Sequence, residues 1–404
     1  MITKELFALD LGTTKFCLAT VRFNPNSGKP TIKKTVVPAG GMRRGMLSNM
    51  EEAADALNKL LDLAEKDFAR DIREVVVGVA GSHLSGKIGR ASLDVGGEVI
   101  TNVDQDEVLT NCKKNPTKGL EILHNIPLSY QVDSRECVDS AVGFSGDFLK
   151  CESFIIEADK NYLKDIIRLC NNCGLQVQKL YAEPFASSCV TVPYSLKQAG
   201  VAIADIGGGT TDGIVFKNGK PIKLFTVNIA GRLITSDLSI GLQITDDDAK
   251  TIKHKYGLTG DTTTTELEKV TGEKICLDGH IVNRILSCRI DELYQLIDTD
   301  LGPISQLLSG GLILTGGGSE LRGICDHISN KFDISCTKIK PEIPKLSNHT
   351  TDPGERVTAA TKFATVAGLL YLAIEEFGDY DQKQKGQSAS KYLKTFVNWL
   401  KEIA

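Results

Sequence analysis

The chain has 404 residues, of which 41% are hydrophobic, and a formal net charge of -4. Because this length exceeds what one ordinary hydrophobic core organises, we expect two or more domains. The slightly acidic balance argues against a dedicated nucleic-acid-binding protein, and no apolar run approaches the ~20 residues that span a bilayer. Residues 1–5 lead directly into the apolar run 6–9, so no signal peptide is expected.

Strand and helix patterns alternate in the first part of the chain. Residues 6–23 predict two strands around a glycine turn, and residues 50–69 have helical periodicity. The continuous apolar run 75–79 is typical of a strand buried on both faces of a parallel sheet. Over 84–161 the pattern changes to short charged strands around one helix near 105–112. This stretch is the candidate inserted domain.

Further helices and strands follow the insertion. We predict a helix over 161–171, a strand over 176–181, and a helix over 183–199 that a proline breaks. Helical patterns dominate 234–308. The threonine-rich stretch 261–265 interrupts them, and we interpret it as a loop at a helix N-terminus.

Two glycine-rich loops, each preceded by an apolar run and an aspartate, are the most informative feature of the sequence. Asp10 precedes Gly12-Thr13-Thr14-Lys15, and Asp205 precedes Gly207-Gly208-Gly209-Thr210-Thr211. Glycines let successive backbone N–H groups converge on phosphate oxygens, and threonines add hydroxyl donors. A carboxylate at the end of a strand supplies a hard oxygen for Mg²⁺, directly or through water. The repeated loop predicts two related lobes that face one nucleotide.

A third glycine turn, Gly316-Gly317-Gly318-Ser319, follows the apolar run 312–314 without an acid at the strand end. It therefore suits a neutral base or a ribose better than a metal-bound phosphate. A plain strand-to-helix turn is the alternative interpretation.

In order and spacing, the three loops resemble the phosphate-1, phosphate-2 and adenosine motifs of the actin, sugar kinase and heat-shock chaperone ATPase superfamily. Residues 181–188 resemble its first connecting segment, whose glutamate orients the attacking water, and residues 363–370 resemble its second connecting helix. The resemblance implies that Glu183 is the catalytic residue. A charge that complements the dipole of the helix begun by Pro184 is the alternative role of Glu183.

Other stretches narrow the resemblance to the FtsA family of bacterial actin-like division proteins, over nearly the whole chain. Residues 75–83 are similar to the family's entry into an inserted subdomain, residues 125–146 to the insert, and residues 228–257 to later motifs. The implied fold class is α/β. It is a two-lobed actin-like ATPase fold with duplicated ribonuclease-H-like domains, an inserted subdomain and a C-terminal amphipathic helix.

The resemblance also implies a division of the chain into parts. These are subdomain 1A (1–83, 162–193 and 355–378), inserted subdomain 1C (84–161), subdomain 2A (194–228 and 306–354), subdomain 2B (229–305), a flexible linker (379–390) and a membrane-targeting helix (391–404).

The implied ligand is ATP with Mg²⁺. Asp10 and Asp205 would coordinate the metal, mainly through water, and the first two loops would cradle the phosphates. Lys15 would place a charge on the β- or γ-phosphate, with a solvated surface lysine as the alternative. Gly316, Gly317 and Gly318 would admit adenine and ribose closely.

One position departs from the family pattern. The motif A-E-x-I-K, whose glutamate and lysine approach the ribose, is here Ala249-Lys250-Thr251-Ile252-Lys253. Lys253 is retained, whereas Lys250 replaces the glutamate. One of the three aspartates at 246–248 could substitute by a small shift. The phosphate end of the site is therefore better supported than the ribose end.

The C-terminus combines a polar tether with an amphipathic pattern. Residues 379–390 predict a flexible linker. At about 100° per residue, residues 391–404 place their apolar side chains on one face and lysines on the other, which is typical of a helix in the plane of an anionic membrane. A helix docked on the protein's own core is the alternative. The apolar face consists of Tyr392, Leu393, Phe396, Val397, Trp399, Leu400 and Ile403.

By resemblance, the chain is expected to bind ATP, with slow or regulatory hydrolysis, and to polymerise with itself head to tail. It would lie on the cytoplasmic face of the cell membrane at the division site. There it would hold the FtsZ C-terminal peptide through 229–305 and help recruit other division proteins. Lys274, Arg284 and Arg289 are cations available for an acidic peptide, although a solvated face also explains each.

Two other functions remain open. PilM-type pilus assembly proteins share the fold and the insert, whereas MreB lacks the insert. A small-molecule kinase of the same superfamily would need a substrate pocket with a catalytic acid, and such kinases generally have no amphipathic tail. Attachment to lipid and binding of an FtsZ peptide would separate these functions.

Overall fold

The structure, a computed structural model, describes residues 5–23, 30–137, 139–258, 260, 265–268, 272, 274–343 and 360–377. The linker 379–390 and the helix 391–404, with its predicted membrane-binding face, lie outside the described residues. Among the residues that are described, no helix is long and apolar enough to cross a bilayer.

The strands, in chain order, are β1 (Leu6–Leu11), β2 (Lys15–Phe23), β3 (Pro30–Pro38), β4 (Met42–Arg43), β5 (Met46–Leu47), β6 (Glu74–Val79), β7 (Leu84–Asp94), β8 (Leu120–Val132), β9 (Arg135–Cys137), β10 (Phe148–Asp159), β11 (Gln176–Ala182), β12 (Val201–Ile206), β13 (Thr211–Lys217), β14 (Lys220–Val227), β15 (Thr265–Glu268), β16 (Lys274–Leu277), β17 (Leu312–Thr315) and β18 (Cys336–Lys338).

The α-helices are α1 (Met50–Phe68), α2 (Asn102–Asn111), α3 (Lys160–Asn172), α4 (Glu183–Thr191), α5 (Tyr194–Ala199), α6 (Gly231–Leu242), α7 (Asp246–Lys255), α8 (Gly279–Leu301), α9 (Ile324–Phe332) and α10 (Ala364–Phe377). Short 3-10 helices cover Gly302–Leu307, Gly317–Glu320 and Thr361–Phe363.

Two five-stranded sheets with one topology organise the chain. Their strand orders are β11-β6-β1-β2-β3 and β18-β17-β12-β13-β14. In each sheet the first three strands form an antiparallel meander, and the two later strands run parallel to the first. This duplication confirms the predicted α/β class, and each phosphate-type loop is the hairpin turn between the first two strands of its sheet.

Helices on both faces explain the continuous apolar runs of the sheet strands. In β1, Phe7 and Leu9 join a core that contains α1 and α3, whereas Leu6 and Ala8 join the core beneath α10. Alternate side chains of a strand point to opposite faces, so a strand between two helical layers must be apolar throughout. All six residues of β1 are buried, Asp10 among them.

The insertion between β6 and α3 is a separate antiparallel sheet with the order β7-β10-β8-β9. It has its own small core, to which Ile100, Val108 and Leu149 belong. The helix predicted near 105–112 begins earlier, at Asn102, because Thr101 and Asp104 form a capping box. The subdomain boundaries themselves stay a prediction.

Of the threonine-rich stretch predicted as a loop at a helix N-terminus, the structure describes only Thr265, which is not in a loop. Thr265 begins β15, which pairs with β16 in a two-stranded hairpin ahead of α8. Residues 261–264 lie outside the described residues. The prediction missed the hairpin because a short alternating pattern such as Thr265–Glu268 is polar and weak without its partner strand.

His124 connects the insertion to the lobe beneath it. Its Nε2 accepts a hydrogen bond of 2.9 Å from the backbone N–H of Ala182, the last residue before Glu183. Its ring lies against the rings of Tyr181 and Phe185, at centroid distances of 5.6 and 4.7 Å. Burial, with the charges of Lys179 and Lys113, lowers the pKa of His124 to about 3. Nε2 can accept a hydrogen bond only when the imidazole ring is neutral. The observed hydrogen bond and the lowered pKa are therefore consistent with each other.

Replacing this histidine should therefore change how stability depends on pH. The folded-state pKa lies below the ordinary value of 6.5, so the unfolded chain binds the extra proton and stability falls as pH decreases below about 6.5. At pH 5 the cost from this one group is at most about 2 kcal/mol. We expect the thermal midpoint of His124→Gln to fall by less than that of the wild type when the pH is lowered from 7.5 to 5.

The matched control is His280→Gln, at an exposed position of α8. It should keep the wild-type dependence on pH. Equal losses in all three proteins would contradict the assigned role of His124.

Candidate functional site

A cleft with a volume of about 460 Å³ lies where the two sheets meet. It gathers most of the residues that the sequence singled out, from loops that are far apart in the chain. The predicted residues that line it are Asp10, Gly12, Thr13, Thr14, Lys15, Glu183, Asp205, Gly207, Gly208, Gly209, Thr210, Lys253, Gly316, Gly317 and Gly318.

The two phosphate-type loops contact each other across the cleft. A Cβ atom on Gly208 would lie 2.2 Å from Thr14 Cγ2, and one on Gly209 would lie 2.6 Å from Thr13 Oγ1. Thr13 Oγ1 also accepts a hydrogen bond from the N–H of Gly45. These glycines are therefore needed for the close approach of the two lobes, as well as for any approach to phosphate.

Carboxylates that are buried, as in Asp10 and Asp212, or partly buried, as in Asp205 and Glu183, line the cleft near the first two loops. Lys15 Nζ lies 3.4 Å from Asp10 Oδ2. Asp205 accepts a hydrogen bond from the Thr365 hydroxyl at 3.0 Å. Burial, then the charges of Asp10 and Asp212, raises the pKa of Asp205 to about 7, against the opposing effects of that hydroxyl and of Lys15.

Glu183 lies among the same group of carboxylates. It begins α4, directly after β11. Burial, together with the charges of Asp10, Asp205 and Asp212, holds the pKa of Glu183 well above its usual range, and Lys15 offsets this only in part.

Asp212 is a site residue that was not assigned a role from the sequence. It accepts hydrogen bonds from the N–H of Gly81 at 3.1 Å and from the hydroxyls of Thr210 and Thr226, each at 2.7 Å. Burial raises its pKa, and the threonine hydroxyls oppose that shift. The signal was its place at the end of the second loop motif, where the hairpin pairs it with Asp205.

Two predicted residues do not line the cleft. The Thr211 hydroxyl is buried and donates to the carbonyl oxygen of Ile229 at 2.7 Å. The Ser319 hydroxyl is buried and donates to the carbonyl oxygen of Gly316 at 2.7 Å. Both hydroxyls hold a loop in shape, so their contribution to ligand binding is indirect.

Helices α6 and α7 and the third glycine turn also contribute residues to the lining of the cleft. Lys253 Nζ donates to the carbonyl oxygen of Gly231 at 3.0 Å and to the Thr235 hydroxyl at 2.8 Å. Lys250 also lines the cleft and pairs with Asp247 at 2.8 Å. The lining includes none of the aspartates at 246–248. Arg232, His254, Glu320 and Lys362 also line the cleft, and the sequence did not predict them.

The raised pKa of Asp205 leads to a prediction about the protein without nucleotide. Because the folded-state pKa of about 7 exceeds the ordinary 3.8, the folded state binds more protons and stability falls as pH rises between these values. Asp205→Asn keeps an oxygen for Thr365 and removes the charge. We expect its thermal midpoint to exceed that of the wild type by roughly 3 °C or more at pH 8, and by less at pH 5.

Asp55→Asn, at an exposed position of α1, is the control and should have no such effect. An Asp205→Asn protein that is no more stable than the wild type at pH 8 would show that the carboxylate repulsion is already relieved.

Similarity to solved structures concerns the fold. A chain of a "PilM-PilN type IV pilus biogenesis complex" superposes with a TM-score of 0.64 at 16% identity, covering 92% of this chain and 99% of that one. MreB5 of Spiroplasma citri, solved "bound to ADP", gives a TM-score of 0.53 at 12% identity, with coverage of 94% and 99%. Both likenesses support the actin-like fold.

Similarity in sequence identifies the protein family more specifically than similarity in fold does. Cell division protein FtsA of Neisseria meningitidis serogroup B is 27% identical over 394 residues, covering 95% of this chain and 93% of the relative. FtsA of Escherichia coli K12 is 24% identical over 419 residues, with coverage of 99% and 98%. The family model "Cell division protein FtsA" matches residues 202–368, and "SHS2 domain inserted in FTSA" matches residues 81–157. The chain belongs to the FtsA family of actin-like cell division proteins.

Proposed function

We propose that this protein binds ATP with Mg²⁺ in the cleft and acts as a membrane-attached, self-assembling scaffold that holds FtsZ at the division site. The proposed nucleotide binding is supported by one observation. Two glycine hairpin turns line the cleft together with four acidic side chains and one lysine. Backbone N–H groups at such turns bind phosphate oxygens, and the carboxylates require a cation before a polyphosphate can approach them.

The donor set fits Mg²⁺ held largely through water. Among the described residues, no three His, Cys, Asp or Glu side chains converge closely enough to hold a metal ion by themselves. Mg²⁺ commonly keeps several waters and uses one or two carboxylates together with substrate phosphates. Asp10 and Asp205 suit that role, and the bound ion would offset their mutual repulsion with Glu183 and Asp212.

Glu183 is the residue that we assign to hydrolysis. To orient and deprotonate an attacking water, its carboxyl group must be ionised. Burial, followed by the charges of Asp10, Asp205 and Asp212, raises its pKa, so a cation bound near these carboxylates would favour the ionised form that hydrolysis needs. Hydrolysis would then depend on a correctly filled cleft, which suits a slow, regulatory ATPase.

The membrane part of the proposal is supported by the sequence of residues 391–404. One apolar helix buries little area, and a single such anchor binds lipid weakly. Several copies joined in one filament bind together with much greater avidity. Self-assembly and the tail therefore depend on each other for stable attachment.

For the FtsZ peptide, we propose the helical region 229–305. Arg289 is the least suitable of the three candidate cations, because its guanidinium forms a two-pronged pair with Asp237 at 2.5 and 2.9 Å and also contacts Glu292. Arg284 is exposed on α8. The exposed Ile240 of α6 and Ile281 of α8 offer apolar contacts in the same region.

Glu183→Gln tests the assigned chemistry. The amide has the same size but cannot accept the proton, so ATP hydrolysis should fall by about 10²-fold or more, while affinity for ATP changes little. Single-turnover hydrolysis and equilibrium binding of ATP with Mg²⁺ measure the two effects.

Glu98→Gln, an exposed glutamate of the insertion, is the matched control and should hydrolyse ATP at the wild-type rate. If Glu183→Gln hydrolyses ATP as fast as the wild type, another group activates the water.

Vesicle sedimentation tests the scaffold. The full chain should sediment with vesicles of phosphatidylglycerol and phosphatidylethanolamine when ATP is present, and it should bind FtsZ C-terminal peptide. Trp399→Glu places a charge on the apolar face of the tail, which should weaken vesicle binding roughly tenfold or more. Asn398→Glu adds the same charge on the polar face and should have a much smaller effect.

A chain that stays in solution with lipid and ignores the FtsZ peptide would overturn the scaffold proposal. The similarity to the PilM fold would then make pilus assembly the leading alternative, to be tested with peptides from membrane-embedded partners.

A further inference from the structure

Two cysteine side chains meet where α9 packs against the edge of the sheet β18-β17-β12-β13-β14. Cys325 lies in α9, and Cys336 begins β18, the edge strand next to β17. The backbone N–H of Cys336 donates to the Ser329 hydroxyl at 3.1 Å. Because Ser329 follows Cys325 by four residues, the two lie on one face of α9. Cys325 packs against the core cluster that contains Cys336, and the two thiols share a hydrogen bond.

The two thiols have different chemical surroundings. The hydrogen bond with Cys336 lowers the pKa of Cys325, burial opposes this shift, and the charge of Lys338 assists it. The same hydrogen bond, and then burial, raises the pKa of Cys336. The Cys336 thiol is therefore the donor and the Cys325 sulfur the acceptor. Since the thiolate is the nucleophile in thiol chemistry, Cys325 is the attacking residue of the pair.

Access and packing favour the same assignment. Cys325 is partly exposed, whereas Cys336 is only 8% exposed. A disulfide requires the sulfur atoms to approach to about 2 Å. Strand β18 has three residues and lies at the sheet edge, so few neighbouring contacts oppose a small movement there.

Other cysteine pairs in the described part of the chain are less suited to oxidation. Cys112 Sγ lies 3.6 Å from the carbonyl oxygen of Cys151, but the two residues are only 6% and 2% exposed. Burial raises the pKa of Cys170, to about 12, and that of Cys173. Thiols enclosed in apolar surroundings react slowly. Cys325 differs because it combines partial exposure and a lowered pKa with a partner thiol in contact.

We propose that Cys325 and Cys336 form a site of reversible oxidation, at which a low-molecular-weight disulfide such as glutathione disulfide converts the two thiols to an intramolecular disulfide. The bond would join α9 to the edge strand β18. The site does not depend on the proposed binding of nucleotide.

The reaction consists of two thiol–disulfide exchanges. The Cys325 thiolate attacks one sulfur of glutathione disulfide, which forms a mixed disulfide and releases one glutathione thiolate. Cys336 then loses its proton and attacks the Cys325 sulfur, which releases the second glutathione. The two protein thiols lose two electrons and two protons, and the oxidant is reduced to two molecules of glutathione.

Peptide mass spectrometry tests the proposal on the folded full chain. Trypsin cleaves after Arg322, Lys331 and Lys338, so the two cysteines fall in separate peptides, 323–331 and 332–338. After treatment with glutathione disulfide and blocking of the remaining thiols with an alkylating reagent, these two peptides should be joined. Dithiothreitol added before the blocking step should separate them.

Two variants separate the roles of the thiols. Cys336→Ser removes the second nucleophile, so the joined peptides should disappear and the glutathione adduct of Cys325 should increase about tenfold or more. In Cys325→Ser the joined peptides should also disappear, and the buried Cys336 should stay largely unmodified. Thermal unfolding of each reduced variant checks that the fold is intact, and the wild-type result does not depend on either variant.

The matched control is Cys288→Ser, which removes an exposed thiol of α8 and should keep the joined peptides at the wild-type level. The inference is wrong if the wild-type peptides stay separate, or if the glutathione adduct of Cys325 persists while Cys336 is present. Joining of Cys325 to the exposed Cys276 or Cys288 as often as to Cys336 would also overturn it, because the reaction would then not depend on the contact seen in the fold.

Discussion

The mutual repulsion of Asp10, Glu183, Asp205 and Asp212 is the constraint on which the rest of the structure depends. Each comes from a different strand end or helix start, and each is buried or partly buried where the two sheets meet. One lysine is too little to neutralise four carboxyl groups. Burial, and then the neighbouring carboxylates, raises the pKa values of Asp205 and Glu183, whereas burial raises that of Asp212. Side chains with shifted pKa values are often found together at functional sites.

The fold tolerates this repulsion because polar groups are arranged around it. Asp212 receives hydrogen bonds from Gly81, Thr210 and Thr226, and Asp205 receives one from Thr365. These donors stabilise charge without removing it. A cation bound with the proposed nucleotide would complete the compensation.

The cleft is also connected to the inserted domain. Gly81 donates to Asp212 and stands at the start of the inserted domain, and His124 of that domain binds the backbone next to Glu183. The insertion is therefore fixed to the site at two points.

The sequence by itself determined the loops, the duplicated lobes, the insertion and the pattern of the tail. These features follow from local composition, since a glycine hairpin turn or an amphipathic period is complete within about 15 residues. The tertiary structure decided the role of Asp212, the loop-holding hydroxyls of Thr211 and Ser319, the link through His124 and the β15–β16 hairpin. It also showed that Lys250, Lys253, Arg232 and Lys362 line the same cleft. Such features arise only when strand register and helix packing bring residues from distant segments together. A local sequence pattern does not specify these long-range contacts.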